Sequence, residues 1–183
     1  MSVGAEHPLV VMIGAPGAGK TRTGKRVARI LRVPFIDTDR RIVLRHGPIA
    51  QLFASHGEDH FRRIERLEVQ RALREHAVVS LGGGAVLDED TQRELEQLPV
   101  ALLTVSAEAV ASRIGDKRPL LKQGGVEAWE KIVKARRSTY ERLATRTWDS
   151  SRRPIDSIAQ EIADWIGAMQ HPTGHDEAGQ DTQ

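Results

Sequence analysis

The chain contains no cysteine, which excludes disulfides and thiolate metal sites and suits a reducing cytoplasm. No stretch approaches the run of about eighteen apolar residues that a membrane span needs. The N-terminus lacks a charged-then-apolar export signal. A soluble, cytoplasmic protein without a membrane partner is therefore expected. Long basic runs and basic residues interleaved with aromatics are also missing, which argues against a nucleic-acid partner. With 27 lysines and arginines against 25 acids the formal charge is only +2. The pI of about 9.2 is equally compatible with a pocket for anionic small molecules. What is present, 183 residues with 39% hydrophobic and 28% charged content, suits one soluble domain with a substantial core.

Apolar runs and helical periodicity alternate along the chain. "LVVMI" (9–13) reads as a buried parallel strand, and 21–32 as a helix with Val27, Ile30 and Leu31 on its apolar side and Gly24 permitting close packing. "VPFID" (33–37) is a second strand, with Pro34 where a missing N–H does little harm. Helices are expected near 39–46, from Pro48, and over 59–76. "AVVSL" (77–81) and "PVALLTV" (99–105) are strands separated by a helix that starts near Asp88. Further helices are expected at 106–113, 126–145 and 155–169, with "TWDSSRRP" (147–154) as connection. Alternating strands and helices predict an α/β fold with a parallel sheet. The polar stretch 171–183 reads as a disordered tail.

"GAPGAGKT" (14–21) follows the first strand and opens the first helix. It satisfies G-x-x-x-x-G-K-[ST] at Gly14, Gly19, Lys20 and Thr21. Backbone N–H groups from Gly14, Ala15, Pro16, Gly17, Ala18 and Gly19 onward would curl round phosphates, Pro16 supplying none, at the positive end of a helix dipole. Lys20 would neutralise the β- and γ-phosphates and Thr21 would coordinate Mg²⁺. A plain glycine-rich turn is the alternative. The pattern specifies a nucleotide but no second substrate.

Three further clusters bear on that second substrate. "DTD" places Asp37 and Asp39 at the C-terminal end of the second strand, where ligands gather in open parallel sheets. One carboxylate could help to hold Mg²⁺ through water while the other faces an acceptor hydroxyl; a helix N-cap explains the pair equally well. Arg62 and Glu65 are one helical turn apart, either a guanidinium fork held ready for a substrate carboxylate or a solvated ion pair. Phe61 beside them reads as core. Gly82, Gly83 and Gly84 end a strand, either as a flexible corner or because backbone must approach a ligand closely.

In order along the chain, the P-loop at 14–21, DTD at 37–39, FRxxE at 61–65, GGG at 82–84, RPLL at 118–121 and R-x-x-x-Y at 136–140 strongly resemble the shikimate kinase family. The resemblance spans about 9–166. It implies a three-layer α/β/α fold of the P-loop nucleoside-monophosphate-kinase-like type, one domain over 1–170 with a mobile lid at about 113–125. It also implies ATP-dependent phosphorylation of the 3-hydroxyl of shikimate, on the route to chorismate and aromatic amino acids, with ATP and Mg²⁺ as cofactors and a monomer as the default state. By motif, Asp39 would bind the acceptor hydroxyls and draw the proton, and Asp37 would belong to the Mg²⁺ water shell. Arg62, Arg136 and the backbone at Gly82 and Gly83 would grip the substrate carboxylate, with Glu65 orienting Arg62. Arg118 would add charge at the transferring phosphoryl group from the lid, with Gly115, Gly124 and Gly125 as hinges, and Arg113 and Arg153 would lie near the adenine. The chain departs from the pattern at Arg22, where many relatives carry a small hydroxyl residue. The rivals are another small-molecule kinase, such as a gluconate kinase, and a non-catalytic metabolite sensor. The intact set Lys20, Thr21, Asp37 and Asp39 weighs against the sensor.

Overall fold

A computed structural model describes residues 7–114 and 125–170, except for the side chains of Arg113 and Ile114. Of the lid expected at about 113–125, residues 115–124, with Arg118, lie outside the described residues, as does the tail expected from 171.

Five strands form one parallel sheet: β1 (Val10–Gly14), β2 (Phe35–Asp37), β3 (Val78–Ser80), β4 (Val100–Thr104) and β5 (Arg146–Asp149). Their spatial order is β2-β3-β1-β4-β5. The register pairs Val11 with Val79 on one side and with Val100 on the other. Parallel strands need crossovers, and the apolar runs seen in the sequence arise because helices cover both faces. Alternate residues of one strand go to opposite faces. Val11 and Ile13 join Val79, Leu81, Leu102, Val69, Leu95 and Tyr140. Val10 and Met12 join Val78, Ala101, Leu103, Val27, Ile158 and Ile162. Each fully buried aliphatic side chain contributes about 1.5–3 kcal/mol by leaving water.

The helices are α1 (Lys20–Leu31), α2 (Thr38–His46), α3 (Ile49–Ala72), α4 (Glu89–Leu95), α5 (Ala107–Ile114), α6 (Gly125–Leu143) and α7 (Ile155–Gln170). On α1 the buried side is Thr23, Gly24, Val27 and Ala28. Ile30, expected in the apolar stripe, is 41% exposed. Gly24 fits the expected close packing, because a Cβ there would run into the Phe35 ring and stand 3.0 Å from Met12 Sδ. α3 contains the two helices expected from the sequence, joined across Gly57, whose φ of 80° and ψ of 174° break the helical path. It ends at Ala72 rather than His76; tighter bonds from Arg74 N to Arg71 O and Glu75 N to Ala72 O finish it.

The segment read as a connection after α6 begins instead with an edge strand, β5. Only Trp148 of its four residues is buried, so it lacks the apolar run of a central strand. Trp148 pairs with Trp165 of α7, ring centroids 5.5 Å apart. With all strands parallel, Gly14, Asp37, Ser80, Thr104 and Asp149 end at the same edge of the sheet, the edge at which open α/β folds bind ligands.

Candidate active site

The loop after β1 is shaped by its glycines. Gly14 has φ 138°, and a Cβ on it would collide with the Leu103 carbonyl of β4. Gly19, at φ 90°, caps α1 without a side-chain hydrogen bond, and the first turn of that helix carries no acid. The helix therefore presents its N-terminal N–H groups without a built-in anion. Lys20 Nζ donates to Gly14 O at 2.7 Å and Ala15 O at 3.1 Å, which keeps the ammonium against the curl of the loop. Ser150, just past β5, donates to Ala18 O at 2.9 Å and Thr104 O at 3.0 Å, fixing the loop from the other edge.

Asp37 is the helix N-cap that the sequence allowed, and its second oxygen faces the phosphate loop. Its Oδ1 caps α2 by accepting from Arg40 N at 3.1 Å, and its Oδ2 accepts from Thr21 Oγ1 at 2.7 Å. Mg²⁺ keeps several waters and uses one or two protein oxygens together with phosphate oxygens. This hydroxyl–carboxylate pair beside the phosphate loop fits such an ion. The described residues hold no cluster of three or more His, Asp or Glu side chains that would suit an all-protein metal cage.

Asp39, in the first turn of α2, is partly buried. Burial first, and the Asp37 charge second, push its carboxyl above the ordinary carboxylate value, while the Lys20 and Arg62 charges pull it back. Thr38, fully buried between the two acids, accepts from Gly82 N at 3.2 Å and donates to Ser80 O at 3.4 Å. It ties the DTD turn to the triple glycine, a role the sequence reading did not give it.

The triple glycine makes room for the site's own charged groups. A Cβ on Gly82 would strike Asp39 Oδ1 and lie 3.0 Å from Glu65 Oε1; one on Gly84 would enter the Arg62 guanidinium; one on Gly83 would stand 3.2 Å from Pro16 Cδ and 3.6 Å from Arg136 Nη1. Asp39, Glu65, Arg62 and Arg136 thus converge on one turn of backbone, and Pro16 brings the phosphate loop to the same place. Arg62 Nη1 donates to Glu65 Oε2 at 2.7 Å, while its Nε and Nη2 donate to Glu58 Oε1 at 3.2 and 3.0 Å. Burial works against the Arg62 charge, but the bonds to Glu65 and Glu58 more than offset it and hold the guanidinium protonated. Burial pushes the Glu65 carboxyl up, and the Arg62 hydrogen bond and charge oppose the shift. At 5% side-chain exposure for Glu65 and 31% for Arg62, the pair is not the solvated face considered as an alternative. Phe61 is core, buried with Ile42 and Leu52.

Besides Thr38, the supporting residues Glu58, Ser150 and Trp129, whose Nε1 donates to Pro16 O at 2.8 Å, escaped the sequence reading. Glu58 lies one turn before Arg62, and that spacing was its available signal. Tyr140 Oη donates to Gly83 O at 2.6 Å; burial raises its phenol above the usual value against the pull of Arg136, so the group remains a donor. A cavity of about 280 Å³ adjoins the pair, lined by Arg62, Glu65, Arg66, Gly84, Asp88 and Thr91 among others. Arg153 follows β5 and binds Glu161 of α7. The backbone of Arg113 belongs to α5, while Arg118 lies outside the described residues.

A five-stranded parallel sheet between helical layers, with this glycine–lysine–threonine loop leaving β1, defines a P-loop kinase of the nucleoside-monophosphate-kinase-like type. The shikimate kinase family model matches residues 16–167. The chain belongs to the shikimate kinase family, and as a member it is an ATP-dependent kinase. It is 40% identical over 166 residues to a shikimate kinase of Mycobacterium avium (strain 104), covering 88% of this chain and 94% of that one. It is 39% identical over 163 residues to a shikimate kinase of Thermobifida fusca (strain YX), covering 87% and 95%. Among solved structures, the shikimate kinase from Acinetobacter baumannii in complex with shikimate superposes with a TM-score of 0.82 at 27% identity, covering 90% of this chain and 94% of that one.

Proposed function

We propose that the protein transfers the γ-phosphoryl group of ATP to the 3-hydroxyl of shikimate, yielding ADP and shikimate 3-phosphate. The observation that carries this is the convergence of Asp39, Glu65, Arg62 and Arg136 on glycines 82–84, with Pro16 of the phosphate loop against Gly83. A hydroxylated carboxylate needs cations at one end and a proton acceptor at the other, within reach of the phosphoryl donor.

In this proposal Arg62, Arg136 and the backbone of Gly82 and Gly83 hold the carboxylate, and Glu65 keeps the Arg62 fork oriented. Asp39 receives the proton of the 3-hydroxyl as that oxygen bonds to the γ-phosphorus in line with the departing ADP oxygen. Its carboxyl, raised above the ordinary value by burial and by the Asp37 charge, is a better base than an ordinary carboxylate. Lys20 and the N–H groups of residues 14–21 bear on the phosphates, stabilising charge as it shifts toward the leaving group. Thr21, with Asp37 through water, would hold Mg²⁺, which when bound supplies charge neutralisation at the phosphate oxygens. Arg118 is assigned by motif to the transferring phosphoryl group, on the segment read as a lid, and Arg113 and Arg153 to the neighbourhood of the adenine. Domain extent over 1–170, monomeric state and cytoplasmic location belong to the same proposal.

The test is coupled ADP release from MgATP with shikimate, quinate or gluconate as acceptor. Shikimate is expected to support the greatest kcat/KM. Equal or better turnover with gluconate, or ADP release independent of any acceptor, would refute the assignment.

A further inference from the structure

Residues 15–18 form a β-turn closed by Ala18 N donating to Ala15 O at 3.2 Å. Pro16 stands second and Gly17, with φ 87°, third, which is the type II arrangement. Types I and II differ by turning over the central peptide, here Pro16–Gly17, by roughly 180°. Glycine in the third position offers little steric resistance to that rotation. In a trans peptide the carbonyl of Pro16 and the N–H of Gly17 point in opposite directions. Whichever side the oxygen takes, the N–H faces the other.

One side chain holds that choice. Trp129 Nε1, from α6, donates to Pro16 O at 2.8 Å. Trp129 is only 3% exposed and packs with Ala15 and Val110, so its indole N–H has little access to water as an alternative partner. Residues 129, 133, 136 and 140 share one helical face. From that face Trp129 holds the Pro16 carbonyl and Tyr140 holds the Gly83 carbonyl, while the Pro16 ring borders Gly83.

We propose that Trp129 is a positioning residue for the phosphate loop: by binding the Pro16 carbonyl it keeps the Gly17 N–H turned toward the nucleotide phosphates. If the peptide turned over, a carbonyl oxygen would face those phosphates in place of a donor. The inference rests on the reading of residues 14–21 as a nucleotide-phosphate site, and not on the identity of the acceptor.

The test uses the full chain and MgADP as calorimetric probe, with Trp129→Phe, which keeps a buried ring and removes the N–H. A second variant carries benzothienylalanine at position 129, keeping the bicyclic shape and exchanging only N–H for sulfur. Loss of one hydrogen bond predicts a Kd for MgADP about three- to tenfold weaker in both. The KM for the acceptor should change by less than about twofold, and Tm should fall by no more than about 3 °C. Unchanged MgADP affinity in either folded variant would overturn the proposal, as would acceptor KM and MgADP Kd weakening in parallel. Weakening in the phenylalanine variant alone would assign the effect to packing and likewise overturn it. Wild-type protein that fails to bind MgADP would refute the phosphate-loop reading beneath it. Wild-type protein that binds MgADP but does not turn over shikimate would refute only the acceptor assignment.

Discussion

Adding one methyl group at Gly82 perturbs the site where two of its carboxylates crowd the backbone. The backbone there is not in the left-handed region, since Gly82 is not among the positive-φ glycines, so alanine brings no dihedral strain. The effect of Gly82→Ala comes from collision. The new Cβ would strike Asp39 Oδ1 and lie 3.0 Å from Glu65 Oε1 and 3.1 Å from Asp39 Cγ. To restore ordinary van der Waals separation the Asp39 carboxylate must retreat by on the order of 1 Å. A misplacement of that size costs about 10²-fold in rate, or about 2.7 kcal/mol in the barrier. Overpacking should also lower stability by about 1–3 kcal/mol, a Tm shift of roughly 2–12 °C for a chain of this size. Steady-state ADP release at saturating shikimate gives kcat, and MgADP calorimetry checks that the nucleotide site survives. A folded variant with kcat within about threefold of wild type would refute the claim that Gly82 exists to admit the Asp39 and Glu65 carboxylates.

Asp39→Asn keeps the shape and removes the proton acceptor, so kcat should fall by about 10²–10⁴-fold with MgADP affinity retained; near-normal turnover would remove Asp39 from the chemistry. Because the Asp39 pKa is raised and the proton acceptor must be ionised, activity should fall on acidification at a pH above the ordinary carboxylate value. Asp37→Asn, which takes away a like charge, should move that acidic limb downward in kcat/KM profiles; an upward or absent shift would contradict the electrostatic assignment. Away from the site, Glu68 is 2% exposed and Arg45 Nη1 binds it at 2.7 Å, with Arg41 and Arg71 each at 3.7 Å. Arg45→Met should destabilise the fold by roughly 1–2 kcal/mol, a value reduced because Arg45 itself is half exposed. Urea denaturation reads this, and no change would show that the farther arginines suffice.

The parts visible in the sequence are those with a local cause. The phosphate loop was readable because its glycines and lysine are contiguous and flanked by strand and helix. The three inner strands, β3, β1 and β4, showed as apolar runs because both faces of the sheet are covered, and the edge strand β2 showed in the short run "VPFID". β5 did not, because an edge strand that buries only Trp148 has neither run nor alternation to display. Ile30 belongs to the apolar stripe by period, yet the buried face of α1 is Thr23, Gly24, Val27 and Ala28, and Gly24 lets the helix pack closely against Phe35 and Met12. The triple glycine announced a close approach without revealing what approaches. Only the fold brings Asp39, Glu65, Arg62 and Arg136 to it from α2, α3 and α6. Trp129 gave no signal beyond its helical spacing, because its partner is a backbone carbonyl 113 residues earlier.

Phosphoryl transfer to one particular hydroxyl is tested most directly by the product itself. Incubation with MgATP and shikimate, followed by phosphorus–proton correlation NMR, should show a single new phosphate monoester coupled to the proton on carbon 3, appearing in step with ADP. A monoester on another hydroxyl, or ADP and free phosphate with no ester, would contradict the account.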